Sequence, residues 1–553
     1  MPARTPDLRR GRLLRRAAPA ALATLALALS ASPARAASAG GSSAEPEPAP
    51  AAPAPAPAVE PAPAAPAAET VTIGLDPSAA GRPVPPRFLG LSFEVGSLAL
   101  LGELADRGNL VTLLRSLGPG MLRFGGITAD QNVAWTDSNT PRPAWATATI
   151  GPAQMHALGR LARRSGWKVL LTVGLAHFEP AAAAREVASA KAQLGSYLAA
   201  VEIGNEPDSL GRHGYRAPPW GAQTYEEEVS VYREAIGALT PGIALAGPDV
   251  SGSGAFAEWG NDEVLSQAPA LLTGHHYPLG CTAKPAPSLE TLLSPAMRGL
   301  EAHSLETYLS VARANAIPLR IDEANSVSCG GVAGVSNTFG SALWATGYIG
   351  QAMAAGVAGL NLHGHPLSCS GYSPLCAPDP ADAASGQLHA QPDWYALLLA
   401  RTLIGDRPLP TTISASGSPN LAVAGFSGPG HTLKLLLSDD DPPGSPPLLL
   451  HVGVGAGLGA GQVLRLTGSS PSAMDGVRLG GRAVAADGSW TPPKRLETAP
   501  VGGGVLTVRV APSSAALVAV APPRRTCGRK PRRRRGGTAC PRSGAARPAP
   551  PRR

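Results

Sequence analysis

The sequence predicts an α/β protein in which a (β/α)8 TIM barrel is followed by a small C-terminal antiparallel β-sandwich domain. Over residues 77–396, eight runs rich in Val, Leu and Ile alternate with helix-like stretches, which is the pattern of a barrel of parallel strands. Over residues 397–523, short strands separated by Gly, Pro, Asn and Asp replace this pattern and indicate a compact antiparallel domain. The body of the chain therefore divides into a barrel and a β-domain.

The predicted barrel strands are the eight apolar runs, at residues 88–95, 121–126, 169–175, 200–205, 243–246, 271–277, 319–323 and 359–363. The apolar stretch 342–362 is interrupted by Gly347 and Gln351, so it predicts a buried helix followed by the eighth strand rather than a membrane span. A strand at 70–76 precedes the barrel and is predicted to join the β-domain. The strands predicted within the β-domain are residues 420–425, 432–437, 448–454 and 505–510.

The N-terminus has the features of an export signal. Arginines between positions 9 and 16 form a positive region, residues 17–31 are apolar, and Ala34-Arg35-Ala36 is a cleavage site of the A-x-A type. The apolar run is shorter than the ~20 residues that span a bilayer. Residues 1–36 are therefore predicted to be a signal peptide, which implies a secreted, extracellular or cell-wall associated protein. The Ala/Pro-rich residues 37–69 predict a disordered linker.

The positive charge is concentrated at the two ends of the chain. The formal net charge is +8, yet residues 1–36 carry seven Arg against one Asp, and residues 524–553 carry eleven Arg, one Lys and no acid. Removing these +6 and +12 from +8 leaves −10 on residues 37–523, which argues against nucleic-acid binding by the body. The tail 524–553 is predicted to be disordered, either as a solvated segment or as a contact to anionic cell-wall polymer.

Two glutamates stand where predicted barrel strands end. Glu206 follows the fourth strand and precedes a proline, and Glu323 ends the seventh strand. Catalytic groups of barrel enzymes project from the carboxyl ends of strands, and two opposed carboxyls are what cleavage of a glycosidic bond requires. By period-two alternation Glu202 would share the face of Glu206 as a buried partner, whereas Asp322 would point away from Glu323 and be structural.

These residues resemble the retaining glycosidases of clan A. The resemblance rests on Asn205-Glu206-Pro207 after the fourth strand, Glu323 at the seventh, and Arg123 in Leu-Arg-Phe-Gly-Gly at the second. Within that clan, further segments resemble glycoside hydrolase family 79, which contains β-glucuronidases and heparanases. The resemblance covers roughly residues 70–520. The segments that carry it are residues 88–94, 274–278 and 324–331, together with the small C-terminal β-domain.

The resemblance implies roles for the residues that match. Glu206 would be the general acid and base, and Glu323 the nucleophile that forms a glycosyl-enzyme intermediate. Asn205 would hydrogen-bond the sugar 2-hydroxyl, and Tyr277 would hold the carboxylate of Glu323. Arg123 is counted among the substrate-binding residues.

A uronate pocket is also implied by the family, in the loops after strands seven and eight. The amide of Gly330 and the hydroxyl of Tyr372 are the candidates for binding the uronate carboxylate. Lys284, Arg212 and Arg216, in loops after strands six and four, are further candidates, because a body of net negative charge needs local donors to hold an anionic sugar.

The predicted function is that of a secreted retaining exo-β-glucuronidase that removes β-linked glucuronate or its 4-O-methyl ether from oligo- or polysaccharides. A carboxyl separation of about 5–5.5 Å is expected for this mechanism. Two alternatives remain open, namely a non-catalytic carbohydrate-binding protein on the same barrel and an endo-acting, heparanase-like glycosidase. No cofactor is expected.

A metal site is the rival interpretation of the histidines. His363 and His365 lie two apart at the end of strand eight, and His275 or His276 would supply a third ligand. No dense His-Glu motif accompanies them, so the prediction is that no metal is bound. By alternation, His275 shares a face with Tyr277 and is predicted to line the sugar pocket, while His276 packs against the helices.

Six cysteines in a chain with an export signal predict disulfides rather than redox chemistry. Six allow fifteen connectivities, and proximity in the predicted fold favours one of them. The predicted pairs are Cys281 with Cys329, Cys369 with Cys376, and Cys527 with Cys540.

Overall fold

A computed structural model describes residues 67–523 of the chain. The predicted signal peptide, nearly all of the predicted linker, and the basic tail with Cys527 and Cys540 lie outside the described residues. Within them the chain forms the predicted barrel and a separate domain of two β-sheets.

The barrel consists of eight parallel strands in the order β4-β3-β2-β1-β8-β7-β6-β5. Strands β4 and β5 close the ring, because the N–H of Val201 donates to the carbonyl of Ala244 at 3.0 Å and a parallel bridge joins Val201 to Leu245. The predicted fold is thus confirmed. The strands are β1 (Leu89–Glu94), β2 (Met121–Gly125), β3 (Lys168–Val173), β4 (Leu198–Ile203), β5 (Ala246–Val250), β6 (Leu271–His276), β7 (Leu319–Ala324) and β8 (Gly359–Gly364).

Helices cover the outside of the barrel because strands buried on both faces need an apolar layer on each side. The helix Phe339–Ala355 packs between the barrel and the β-domain and is buried on nearly every side, which explains its apolar sequence. No helix among residues 67–523 has the length and hydropathy that a membrane span requires. The other helices are Leu98–Asp106, Leu110–Ser116, Thr128–Gln131, Pro152–Ser165, Pro180–Leu194, Ala222–Leu239, Ser253–Gln267, Leu289–Leu292, Pro295–Ala314, Pro380–Ser385 and Pro392–Ala400.

The β-domain stacks a five-stranded sheet on a seven-stranded sheet, with an apolar core between them. The N-terminal strand Glu69–Leu75 belongs to the smaller sheet, where it pairs antiparallel with Thr411–Ala415 and parallel with Leu448–Gly453. The smaller sheet also contains Val505–Val510 and Val501–Gly502. The larger sheet contains Arg407–Leu409, Leu421–Gly428, Thr432–Asp439, Ser514–Val520, Gly461–Thr467, Arg478–Leu479 and Glu497–Ala499.

The fifth barrel strand corrects the sequence prediction. It was expected at residues 243–246 but spans Ala246–Val250. Proline cannot donate to a strand ladder, so Pro248 is an unusual residue within a barrel strand. The structure accommodates Pro248 because the pairing with β6 is irregular between Pro248 and Val250. The shift places Asp249 at the mouth end of the barrel.

One buried acid of the barrel lies away from the strand-end glutamates. Glu186, on the helix Pro180–Leu194, lines a cavity of about 30 Å³ together with Trp145 and His177. Its Oε1 atom has no hydrogen-bond partner among the described residues. Burial raises the pKa of Glu186 to about 8, so the folded protein holds a proton here that the unfolded chain releases near its ordinary pKa.

We expect Glu186→Gln to stabilise the protein at pH 8 and to leave its stability nearly unchanged at pH 4. Because the folded-state pKa is raised, the wild type loses stability as the pH rises from the unfolded value toward about 8. The loss of folding stability approaches ~1.4 kcal/mol per pH unit for one titrating group. The Gln side chain of the variant does not titrate, so the variant does not show this loss. Urea unfolding of both proteins between pH 4 and 9 measures the difference. A constant difference across this range would contradict the assignment.

Candidate active site

Two carboxylates meet at the carboxyl-terminal mouth of the barrel. Glu206 follows β4, and its N–H donates to the carbonyl of Asp249 at 3.0 Å across the β4–β5 junction. Glu323 lies in β7, where the pairing with both neighbouring strands is irregular. One carboxylate oxygen of Glu206 and one of Glu323 lie within 4.8 Å of each other. The side chain of Glu206 is 26% exposed and that of Glu323 is 8% exposed.

Glu323 is held as a carboxylate. Its Oε2 accepts a hydrogen bond from Arg123 Nη1 at 2.6 Å, and its Oε1 accepts one from the Tyr277 hydroxyl at 2.8 Å. Burial by itself raises the pKa of Glu323, but the charges of His363, His275 and Arg123 and the Tyr277 hydroxyl outweigh burial and hold the pKa well below its usual range. These contacts therefore favour the carboxylate form of Glu323.

Arg123 organises the floor of the site. It is fully buried in β2 and forms ion pairs from beneath the mouth. It does not reach the surface, so its predicted role in contacting the sugar is corrected to a role in holding carboxylates. Its Nη2 also donates to Asn205 Oδ1 at 2.9 Å, which fixes that amide. The ion-pair partners of Arg123 are Glu202 (3.0 Å), Asp249 (2.6 Å), Asp322 (2.8 Å) and Glu323 (2.6 Å).

Glu202 is the buried partner that alternation predicted, and Asp322 is not where alternation placed it. Glu202 contacts Arg123 and accepts from the Thr172 hydroxyl at 2.7 Å. Asp322 was expected on the face opposite Glu323, yet both side chains contact Arg123, because the irregular pairing of β7 interrupts the two-residue period. Burial raises the pKa of Glu202 and that of Asp322 to about 8.

His275 lies beneath Glu206 rather than at the surface of the pocket. Its side chain is 0% exposed, Nδ1 lies 3.0 Å from Glu206 Oε1, and Nε2 lies 3.0 Å from Asp249 Oδ1. The predicted contact between His275 and a sugar is therefore corrected. Asp249 was not identified from the sequence, because the fifth strand was predicted to end at residue 246. The available signal was an acid at a strand end, directly after Pro248. His276 packs on Tyr348, as predicted.

The loops after β7 and β8 meet beside Glu323. The hydroxyl of Tyr372 lies 3.2 Å from that of Tyr277, and the N–H of Tyr372 donates to the carbonyl of Gly330 at 3.1 Å. The amide of Gly330 has no hydrogen-bond partner within residues 67–523. Gly331 has φ +88°, and a Cβ there would lie 2.4 Å from the nitrogen of Tyr372, so only glycine permits this close approach of the two loops.

Two disulfides fix these loops. Cys281–Cys329 joins the loop after β6 to the loop after β7, and Cys369–Cys376 closes the loop that carries Tyr372. Both bonds are the ones predicted from proximity. They flank the region around Gly330 from two sides, which limits the movement of the loops next to Glu323. The third predicted pair lies outside the described residues.

The structure does not assemble the metal ligands proposed from the sequence. His363 and His365 meet edge to face, and His363 Nδ1 lies 3.0 Å from the Ser92 hydroxyl. Within residues 67–523, the two groups of three side chains close enough to hold an ion are Glu206, His275, Glu323 and Asp249, His275, Asp322. The guanidinium of Arg123 already pairs with acids of both groups, so the positive charge that a metal would bring is present.

Of the basic residues considered for the uronate, one is held by other protein groups and two are exposed. Arg216 pairs with Glu228 at 2.7 Å and donates to the carbonyls of residues 175 and 176, so it stabilises a loop. Lys284 and Arg212 are exposed. Beside Glu323, the Tyr277 hydroxyl donates to its carboxylate and the Tyr372 hydroxyl contacts that of Tyr277.

Known proteins resemble this chain in both sequence and fold. The chain is 27% identical over 346 residues to a β-glucuronidase of Neurospora crassa, in a match that covers 53% of this chain and 60% of the fungal protein. The chain thus matches less than two thirds of the length of this relative. The predicted resemblance to β-glucuronidases is confirmed. No protein-family model matches the chain.

Solved structures share the fold. A 4-O-α-L-rhamnosyl-β-D-glucuronidase from Fusarium oxysporum 12S superposes with a TM-score of 0.65 at 22% identity, covering 81% of this chain and 99% of that one. A family 51 arabinofuranosidase from Xanthomonas axonopodis pv. citri gives a TM-score of 0.60 at 12% identity, covering 82% and 100%. These similarities establish the architecture of a (β/α)8 barrel with an attached β-domain.

Proposed function

We propose that this protein is a secreted retaining glycoside hydrolase, an exo-β-glucuronidase that removes terminal β-linked glucuronate or 4-O-methyl-glucuronate from oligo- or polysaccharides. The observation that carries the proposal is the pair Glu206 and Glu323, with oxygens within 4.8 Å of each other at the ends of β4 and β7. Retaining glycosidases place their two carboxyls about 5–5.5 Å apart, whereas inverting enzymes leave ~6.5–9.5 Å for a water molecule.

In the first step, a carboxylate oxygen of Glu323 attacks the anomeric carbon and the bond to the leaving group breaks. Glu206 donates its proton to the departing oxygen, so the leaving group departs as a neutral alcohol. Glu323 is suited to attack because Arg123 and Tyr277 keep it ionised and fix its orientation. The product of this step is a glycosyl ester of Glu323.

In the second step, water hydrolyses that ester. The water oxygen bonds to the anomeric carbon while Glu206, now a carboxylate, takes a proton from that water. Glu323 leaves as a carboxylate. Asn205 supports both steps. Its carbonyl oxygen is fixed by Arg123, which leaves its amide nitrogen as the donor for the sugar 2-hydroxyl.

The uronate carboxylate is assigned to Gly330 and Tyr372. The hydroxyl of Tyr372 contacts that of Tyr277, which donates to Glu323, and the amide of Gly330, in the loop that contacts Tyr372, has no hydrogen-bond partner among residues 67–523. An amide and a hydroxyl bind an anion without adding a full charge beside the nucleophile. The assignment of glucuronate is supported by the sequence similarity to a fungal β-glucuronidase and by the similarity in fold to a rhamnosyl-β-D-glucuronidase.

Exo action is favoured over an endo-acting, heparanase-like enzyme. A cleft for a polyanionic chain needs a row of free basic side chains. Arg123 and Arg216 are both held by acids, and the exposed basic residues considered in the mouth loops are two, Lys284 and Arg212. The two disulfide-bonded loops instead enclose the site beside Glu323. A purely carbohydrate-binding role would leave the opposed acids without a use.

Secretion is proposed from the sequence and is compatible with the disulfides. Cys281–Cys329 and Cys369–Cys376 would form in an oxidising compartment. The predicted signal peptide 1–36 provides the route, and the tail 524–553 would contact anionic cell-wall polymer or remain solvated.

The function is tested with 4-nitrophenyl β-D-glucuronide and the matching β-D-glucoside. We expect turnover of the glucuronide only, because the glucoside lacks the carboxylate that Gly330 and Tyr372 bind. Turnover of the glucoside alone would reject the uronate assignment. Turnover of neither glycoside, followed by binding of the sugar without cleavage, would favour the carbohydrate-binding alternative.

We expect Glu206→Ala to lower kcat by about 10²–10⁴-fold, because the leaving group loses its proton donor and the water loses its base. Azide needs no base, so added azide should restore turnover and yield β-glucuronyl azide. Nitrophenol release and mass spectrometry measure both effects. Failure of azide to rescue Glu206→Ala, while wild type is active, would contradict the role of Glu206.

A further inference from the structure

Asp249 links the two candidate catalytic acids through three contacts. Its Oδ1 lies 3.0 Å from His275 Nε2, its Oδ2 accepts from Arg123 Nη2 at 2.6 Å, and its backbone carbonyl accepts from the N–H of Glu206 at 3.0 Å. Arg123 in turn binds Glu323, and His275 contacts Glu206. Sequence motifs gave Asp249 no role, and its position makes it the common support of both sides of the site.

His275 sits between two carboxylates. A neutral imidazole carries one N–H and can donate to only one of them, whereas the imidazolium donates to both. Burial by itself lowers the pKa of His275, but the charges of Glu323 and Asp249 outweigh burial and raise it well above the usual value. The two 3.0 Å contacts fit an imidazolium that donates from Nδ1 to Glu206 and from Nε2 to Asp249.

This arrangement decides which oxygen of Glu206 carries the proton. Glu206 Oε1 lies 3.0 Å from His275 Nδ1, so a doubly protonated ring occupies this oxygen as an acceptor. Oε2 has no hydrogen-bond partner among residues 67–523, and the side chain is partly exposed to the mouth. With Oε1 occupied in this way, a proton bound by Glu206 is carried on Oε2, the oxygen without a protein partner among the described residues.

We propose that Asp249 is a positioning residue that acts through His275 to keep the proton of Glu206 on Oε2, directed at the departing oxygen of the sugar. The proposal rests on the proposed glycosidase function. It assigns no contact between Asp249 and substrate.

The backbone supports the same assignment. Asp249 has φ +59° and Glu206 has φ +48°, a left-handed region that non-glycine residues rarely occupy. Each such residue costs of order 1–3 kcal/mol and persists where the surrounding structure holds it, often at functional sites. Here the peptide hydrogen bond between Glu206 and Asp249 joins the two strained residues.

Other groups also face His275. From β7, Glu323 Oε1 lies 3.9 Å from Nδ1, and Asp322 is close enough to form a cluster with His275 and Asp249. The hydroxyl of Tyr308 donates to the carbonyl of His275 at 2.6 Å from the helix packed outside. Of these groups, Asp249 is the one within hydrogen-bond distance of Nε2.

The first test compares phenyl β-D-glucuronide with 2,4-dinitrophenyl β-D-glucuronide, because phenol needs protonation to leave and dinitrophenol does not. In Asp249→Asn we expect kcat/KM to fall about 10²-fold for the phenyl compound and far less for the dinitrophenyl compound. A merely structural defect lowers both equally, and that result would overturn the proposal. His275→Gln should reproduce the selective loss if Asp249→Asn does not fold.

Asp208→Asn is the matched control. Asp208 is an acid near the same strand ends, but it accepts from the N–H and hydroxyl of Ser251 and makes no contact with His275. Its removal should not alter the ratio between the two substrates. A selective loss in this variant as well would overturn the specific role of Asp249.

The second test needs no turnover. In protein labelled with ¹⁵N-histidine, the His275 ring, identified by its loss in His275→Gln, should be protonated on both nitrogens at pH 7. Asp249→Asn should leave it with one. A neutral His275 ring in the wild type would overturn the proposal. Absence of glucuronide turnover alongside a doubly protonated ring would reject the function and leave the role of Asp249 in orienting Glu206 standing.

Discussion

Glu323→Gln should lower the kcat for 4-nitrophenyl β-D-glucuronide by at least about 10⁴-fold, because an amide cannot form the covalent glycosyl intermediate. The substitution keeps the shape of a side chain that is 8% exposed. KM for the glucuronide should change little, since the proposed donors to the uronate, Gly330 and Tyr372, are unchanged. Nitrophenol release measures the loss of activity. Added azide should not restore turnover with β-glucuronyl azide as the product, in contrast to Glu206→Ala.

Glu186→Gln is the control for this experiment. It makes the same change in another buried glutamate of the barrel, one that contacts neither Glu206 nor Glu323. Its kcat should equal that of the wild type within about threefold, as expected for a group outside the chemistry. Activity in Glu323→Gln close to that of Glu186→Gln would show that Glu323 is not the nucleophile.

Arg123→Met should destabilise the protein by about 3–5 kcal/mol or more, because removing one partner of a buried ion pair leaves uncompensated charge. Here one fully buried guanidinium serves four carboxylates, including Glu323 and Asp249. The loss should be greater at pH 8 than at pH 5, because at pH 5 the acids with raised pKa values already hold protons. Urea unfolding at the two pH values measures it.

Arg465→Met provides the comparison. Arg465 makes two contacts of 2.6 Å with Glu497, the same chemistry in a partly exposed setting of the β-domain. Surface pairs contribute about 0–1 kcal/mol. Equal losses in the two arginine variants would mean that Arg123 does not neutralise the buried cluster.

The sequence was sufficient to predict the barrel because buried parallel strands are short apolar runs separated by helices. Seven of the eight strands lie where those runs are. The remaining one, β5, contains Pro248 and lies at Ala246–Val250 rather than at residues 243–246. Glu206 and Glu323 could be singled out because both end such a run. The structure brings them together, and their catalytic roles remain predictions.

The floor of the site was less accessible to sequence reasoning. The face of Asp322 could not be predicted because irregular pairing in β7 breaks the alternation that places side chains. Asp249 was missed for a related reason in β5. Arg123 gave a usable signal, since a charged residue within the apolar run 121–125 must be buried with acids.

The depth of His275 below the mouth of the barrel could not be predicted from the sequence. Alternation correctly predicted that His275 shares a face with Tyr277, but it does not predict how far below the mouth the ring lies. That depth is fixed by Glu206 and Asp249, which contact the two ring nitrogens. A histidine two residues before a strand-end tyrosine is equally compatible with a surface position and a buried one.

The measurement that tests the account most directly is ¹H NMR of the sugar released in the first minutes from a β-D-glucuronide by the wild type. Two displacements at Glu323 predict β-D-glucuronic acid as the first product, with the α-anomer appearing only as mutarotation proceeds. The α-anomer as the first product would contradict the double displacement and the assignment of Glu323 as nucleophile.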